Sequence, residues 1–260
     1  MLNLRARRPH STLFGLVVYA VACGMLRVFL KVFYRLRTEG TERVPASGPA
    51  LIAANHQSFL DPPAIGVDVR HRQLDFVARG GLFRFKPFGW AISQVNSIPL
   101  REDAPDTAAI KEIIRRLEQG SVVMIFPEGS RTEDGAMTSF SRGVAVLVKR
   151  AKCPVIPAAI EGAYDVWPRS RKFPKLFGRG RIAVRYGNLI PHDELFADGP
   201  DAALRRLERE IDAMRIQLRA ELRERTGGRL PAPGPGDRAL RASDEDQNDP
   251  AAGVDQPAAS

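Results

Sequence analysis

Ser121-Val122-Val123-Met124-Ile125-Phe126-Pro127-Glu128-Gly129-Ser130-Arg131-Thr132 decides how this chain is read. Five apolar residues in a row, three of them β-branched, predict a strand buried on both faces, as in the interior of a parallel sheet. Pro127 ends the strand. Gly129 allows a tight turn and a close backbone approach, and Arg131 offers a planar fork suited to anionic oxygens. In α/β sheets, loops at the carboxyl ends of strands are where ligands bind.

Similar apolar runs flank this one. Ala50-Leu51-Ile52-Ala53-Ala54 follows the turn cluster Pro45-Ala46-Ser47-Gly48-Pro49, and Val155-Ile156-Pro157-Ala158-Ala159-Ile160 lies downstream. Gln73–Ala78 and Asn96–Leu100 read as strands, and the alternating Arg181–Tyr186 reads as an edge strand. Helices are expected between them. One is capped by Asp103, presents Ile110, Ile113, Ile114 and Leu117, and stops at Gly120. Another runs from Val144 to Lys152, and the last carries Leu204, Leu207, Ile211, Met214, Leu218 and Leu222 on one face. Strands alternating with helices imply an α/β fold with a mixed, largely parallel sheet flanked by helices.

The ends differ from this centre. Thr12–Leu26 is free of charge, roughly 22 Å of helix, short of a hydrocarbon core of about 30 Å. Arg27, Lys31 and Arg35 then share one helical face, leaving Phe29, Leu30 and Phe33 for another. Both ends are basic (Arg5, Arg7 and Arg8; Arg35 and Arg37), whereas a single span favours positive charge on one side. The reading is an in-plane or shallowly inserted anchor on the cytoplasmic face of the cell membrane. A true span and a cleaved signal peptide are the alternatives, the latter from Arg7-Arg8 and the small residues Ala20-Val21-Ala22. Three segments follow: a membrane-anchoring stretch at 1–36, a globular domain at 37–226, and a tail at 227–260. The tail is rich in Pro, Gly, Ala and Asp and is expected to be disordered.

Charge and cysteine content restrict the partners. From Pro231 onward the balance is −4 against +9 for the whole chain, so the first 230 residues carry +13. A surface that basic attracts anions, lipid head groups among them. The basic residues are dispersed, and no nucleic-acid-binding motif is present, so no nucleic acid is expected as a partner. Cys23 and Cys153 read as small apolar packing residues, and no metal or prosthetic group is implied.

A second polar cluster, Asn55-His56-Gln57-Ser58-Phe59-Leu60-Asp61, follows the strand at 50–54. Histidine can take a proton near neutral pH, and a carboxylate can fix its tautomer. A five-residue offset does not pair on a continuous helix. Pro62 and Pro63 disfavour helix at Asp61, so the chain is expected to turn and return the carboxylate.

His-x4-Asp after one strand, with Phe-Pro-Glu-Gly-Ser-Arg after another, resembles the glycerophospholipid acyltransferase family. Asn96-Ser97-Ile98-Pro99-Leu100-Arg101 is similar to that family's second motif, and Cys153–Ile160 to its fourth. Phe140 and Arg142-Gly143 also fit, and the likeness spans roughly Tyr34 to Asn188. The resemblance implies the glycerolipid acyltransferase fold. It also implies that His56 is the general base that deprotonates the acceptor hydroxyl, oriented by Asp61. That hydroxyl attacks the thioester directly, without the serine nucleophile of a hydrolase triad. No Gly-x-Ser-x-Gly elbow occurs here. Arg101 and Arg131 are implied to hold the acceptor phosphate, Glu128 and Gly129 to shape that site, and Lys86 to contact carrier or phosphate. The donor is acyl-CoA or acyl carrier protein, the acceptor a lysophospholipid, above all 1-acylglycerol-3-phosphate. Acylation of another lysolipid, such as an amino-acid lipid precursor, is an alternative, as is a non-catalytic membrane-surface binding module.

Overall fold

A computed structural model describes residues 13–83, 97–100, 107–176 and 180–240. Its centre is a seven-stranded sheet: β1 (Arg37–Glu39), β2 (Ala50–Ala54), β3 (Leu74–Arg79), β4 (Ser97–Leu100), β5 (Val122–Ile125), β6 (Val155–Glu161) and β7 (Ala183–Tyr186). The spatial order is β1-β7-β6-β2-β5-β3-β4. Every pairing is parallel except β6 with β7. The stretch read as an edge strand is therefore β7, one place inside the edge. The true edge is the three-residue β1, too short and too polar to stand out by periodicity.

The unbroken apolar runs are explained by two cores, one on each face. Ala50, Ile52 and Ala54 of β2, Val122 and Met124 of β5, and Ile156, Ala158 and Ile160 of β6 enter one core. Their alternates Leu51, Ala53, Val123, Ile125, Val155 and Ala159 enter the other. Successive strand residues point to opposite faces, and both faces here are covered.

The first face is covered by α1 (Leu13–Tyr34) and α2 (Asp61–Gly66) through Leu30, Tyr34, Ala64 and Ile65. The second face is covered by α3 (Thr107–Glu118) and α4 (Arg142–Ala151), the short α5 (Ala163–Val166) adds Ala163 and Val166 to the first, and α6 (His192–Leu195) and α7 (Pro200–Arg225) complete the second. Asp103 lies outside the described residues, and the helix expected after it begins at Thr107. Leu207, Ile211, Leu218 and Leu222 of α7 are buried as the spacing predicts. Each contributes about 1.5–3 kcal/mol on leaving water. Cys153 is buried in the same core, where desolvation pushes its thiol up to about 11. That is the environment of a packing residue.

Two terminal features depart from expectation. The basic face of α1 turns inward: Arg27 Nε donates to Asp68 Oδ1 at 2.7 Å and Arg27 Nη2 to the Val67 carbonyl at 2.8 Å, while Lys31 lies 3.3 Å from Asp68. Leu30, expected on the free apolar face, is fully buried. Phe33 is exposed as expected, and the rest of the exposed stripe is Val17, Val21, Met25, Val28 and Val32.

At the other end, residues 227–240 do not dangle. They form a strap against α7, fixed by arginines reaching its carbonyls: Arg223 Nε to Pro231, Arg219 Nη2 to Ala232 and Arg215 Nη1 to Gly236. Scarcity of large apolar residues suggested disorder, but polar bonds hold this part of the tail. Residues 241–260 lie outside the described set.

Candidate active site

β2 and β5 are parallel neighbours, so the loops leaving Ala54 and Ile125 emerge at the same edge of the sheet. Asn55 starts the first loop and anchors it across β6. Its amide donates to the Ile160 carbonyl at 2.9 Å and accepts the Ile160 N–H at 2.8 Å. His56 follows, 18% exposed at its side chain, with the ring stacked on Phe126 at a centroid distance of 4.1 Å.

Asp61 meets His56 as expected, by a different local route. The prolines do not prevent a helix; they start one, because their missing N–H groups fall where a first turn has no acceptor for them. Asp61 is the first residue of α2, and its carboxylate reaches back. Oδ2 lies 2.7 Å from His56 Nδ1 and accepts the peptide N–H groups of Ser58 at 2.6 Å and Gln57 at 2.5 Å. Oδ1 is buried without a hydrogen-bond partner among the described residues. Burial pushes the Asp61 carboxyl up, and the His56 ring and the two peptide N–H groups pull it back. Nδ1–H donation to the carboxylate leaves the Nε2 lone pair free to accept a proton.

The second loop closes on the first. Gly129, at φ +74°, sits in a turn whose N–H bonds the Phe126 carbonyl at 3.0 Å. A side chain there would be strained by the backbone angle alone, since no protein atom lies within 4 Å of its Cβ position. Glu128 braces both loops. Oε1 accepts the His56 N–H at 2.6 Å, and Oε2 accepts the N–H and hydroxyl of Thr138, each at 2.9 Å. Burial still raises its carboxyl to about 7. The Thr132 N–H adds a bond to the His56 carbonyl at 2.8 Å.

Arg131 is 9% exposed, and its guanidinium carbon sits 3.5 Å from the centroid of the Phe59 ring. Trp167 packs against the same ring at 5.2 Å. An arginine stacked in this way keeps its edge donors in the plane of the fork. Ser58 is fully buried, with its hydroxyl donating to the Trp167 carbonyl at 2.9 Å and accepting the Leu60 N–H at 3.2 Å. It is engaged in shaping the loop. Arg101 and Lys86 lie outside the described residues. β4, the strand before Arg101, is parallel to β3 and so ends at this same edge.

The structure thus brings together His56, Asp61, Glu128, Gly129 and Arg131. Phe126, Phe59, Thr138 and Gln57 were not legible as site residues. Gln57 bonds side chains and backbone 78 to 107 positions away, Thr138 acts only through Glu128 ten positions before it, and Phe126 and Phe59 act by ring contacts, none of which leaves a local signal.

Residues 35–161 match the Acyltransferase family. The 1-acyl-sn-glycerol-3-phosphate acyltransferase of Pseudomonas aeruginosa is 30% identical over 207 residues, 77% of this chain and 74% of that one. The Bacillus subtilis protein of the same name is 28% identical, across 70% of this chain and 87% of its own. A chloroplastic relative from Arabidopsis thaliana is 32% identical over 58% of this chain, a match that spans only 43% of the longer plant protein. The crystal structure of a 1-acyl-sn-glycerophosphate acyltransferase from Thermotoga maritima superposes with a TM-score of 0.58 at 26% identity, covering 75% of this chain and 79% of that one. With its four motifs in order on this fold, the chain belongs to the glycerophospholipid acyltransferase family.

Proposed function

We propose that this protein transfers a fatty acyl group from acyl-CoA or acyl carrier protein to the free hydroxyl of 1-acylglycerol-3-phosphate, making phosphatidate. The observation that carries this reading is the His56–Asp61 pair at 2.7 Å on one loop, closed over by the Arg131 loop. His56 Nε2 takes the proton of the acceptor hydroxyl as its oxygen bonds to the thioester carbonyl carbon. The resulting imidazolium, held by Asp61, gives that proton to the departing thiolate as the tetrahedral intermediate collapses. Glu128 and Gly129 hold the loop in which Arg131 meets the acceptor phosphate, with Arg101 as a second cation and Lys86 as a contact for carrier or phosphate. The names of the relatives support this acceptor, and the basic charge of the chain suits either donor.

The reading includes a membrane. Val17–Tyr34 is long and apolar enough to cross one by length and composition. Its Arg27 and Lys31 are bound to the domain at Asp68, and the outer stripe is apolar. That arrangement supports α1 lying in the plane of a membrane surface with the domain against it, and we assign that surface to the cytoplasmic face of the cell membrane.

The test is to incubate the purified protein with labelled acyl-CoA and, separately, labelled acyl carrier protein, across a panel of lysolipids on vesicles. Phosphatidate identified by mass as the dominant product is expected. A dominant product from another lysolipid would reassign the acceptor.

A further inference from the structure

Gln57 stands between His56 and Ser58, and its side chain points away from the reaction. Its Nε2 donates to Glu161 Oε2 at 2.9 Å, and its Oε1 accepts the Tyr164 N–H at 3.3 Å. Glu161 ends β6 with no exposure to solvent. Gly162 turns the chain immediately after it, at φ +84° and with a Cβ position only 1.9 Å from the Arg181 carbonyl oxygen, so no larger residue fits. The other Glu161 oxygen accepts Arg219 Nη1 at 2.6 Å, and Arg215 Nη1 lies 3.8 Å from Oε2.

Both arginines come from α7, and the strap accounts for much of their remaining donor capacity. Arg219 Nε reaches Asp237 at 2.8 Å and Nη2 the Ala232 carbonyl at 2.7 Å. Arg215 Nη1 reaches the Gly236 carbonyl at 2.6 Å and Nη2 the Arg238 carbonyl at 2.7 Å. A buried guanidinium needs its donors met, so the strap, the cations and the buried carboxylate form one unit. The active-site end of that unit is Gln57, whose own peptide N–H is one of the donors on Asp61. A second connection runs outside it. Arg238 pairs with Asp134, in the turn whose Thr132 N–H binds the His56 carbonyl.

We propose that Gln57, Glu161 and Arg219 are positioning residues for acyl transfer, holding the His56–Asp61 pair in its reactive arrangement from a C-terminal strap. The strap and Arg219 lie beyond the residues that match the family, and Glu161 is the last residue within them. The proposal rests on His56 acting as the base.

The test uses the full-length protein carrying Gln57→Met, Arg219→Met, Arg219→Lys, or the two Met changes together. Each Met variant is expected to lower kcat roughly 10- to 100-fold with KM for donor and acceptor little changed, since misplacement on the order of 1 Å costs about that much. The double variant should be no worse than the poorer single one, because both break the same line. Arg219→Lys keeps the charge but not the fork and should recover part of the loss. Gln57→Met leaves both arginines on Glu161, so it reports on positioning even where Arg219→Met fails to fold. A folded Gln57→Met with wild-type kcat would overturn the proposal. So would losses that multiply in the double variant, or that track only the unfolded fraction in a thermal melt. If His56→Ala is inactive while Gln57→Met is fully active, positioning falls and the base assignment stands.

Discussion

The loop ends of β2 and β5 and the outer face of α1 break the ordinary distribution of residues in opposite directions. At the loop ends, polar and charged groups are inside: Asn55, Gln57, Ser58, Asp61 and Arg131 are all buried, as is Glu161 at the adjacent end of β6. On α1 the apolar groups are outside, with Met25 and Val32 each 65% exposed and Val28 62%. Buried polar groups are costly unless bonded, and contiguous exposed apolar ones are costly in water. The first region meets its cost with a dense set of hydrogen bonds that also fixes His56. The second has no covering element among the described residues. One region is therefore ordered from within, and the other leaves an apolar stripe exposed among the described residues.

The comparison breaks first at Asp61. Asp61→Asn should lower kcat/KM at least about a hundredfold while the protein stays folded by circular dichroism, because His56 would lose the carboxylate that fixes its tautomer and orientation. Activity above a tenth of wild type would detach the carboxylate from catalysis. Arg131→Ala should lower kcat/KM for 1-acylglycerol-3-phosphate by roughly 30- to 5,000-fold, the range for removing one partner of a partly desolvated charge contact. The rate with monoacylglycerol should change far less, and Arg131→Lys should restore only part of the loss. Equal losses on both acceptors would leave Arg131 as a brace for Phe59 alone.

How much of this was legible depends on whether the signal was local. β5, β6 and β2 announced themselves because a strand buried on both faces must be apolar throughout. His56 and Asp61 stood out as a spaced pair, and the arginine after Gly129 by its place after a strand. Readings beyond the edge-strand placement missed for physical reasons as well. The prolines at 62 and 63 start a helix instead of preventing one, a matter of which N–H groups need acceptors. The inward turn of Arg27 and Lys31 follows from Asp68, about 40 residues away. The strap is held in large part by its backbone carbonyls, which every residue has and composition cannot reveal, together with Asp237 and Arg238.

On the apolar side, Met25→Asp with Val28→Asp should leave the melting temperature nearly unchanged, since both side chains are exposed, yet weaken binding to anionic phospholipid vesicles by tenfold or more. Burying each such side chain in an apolar phase contributes about 1.5–3 kcal/mol. Unchanged co-sedimentation with vesicles would place the membrane contact elsewhere.

A smaller effect concerns Glu128, one of three carboxyls in the polar region, with Asp61 and Glu161, that burial raises. Its folded-state carboxyl is raised from 4.5 to about 7, so the fold binds its proton more tightly than the unfolded chain does. The stability this gives is fully present below pH 4.5 and is lost as pH rises through about 7, a change of about 3 kcal/mol. Denaturant melts from pH 4.5 to 8 should show that decline in the wild type and a flatter profile in Glu128→Gln. Parallel profiles would mean that Glu128 does not titrate in this range.

The most direct test of the central claim is the rate of phosphatidate formation by His56→Ala beside the wild type, on vesicles containing 1-acylglycerol-3-phosphate and labelled acyl donor. With His56 as the base, the variant should be folded and slower by roughly 100- to 10,000-fold, the usual contribution of a positioned base. A folded His56→Ala that still makes phosphatidate at more than a tenth of the wild-type rate would contradict the account.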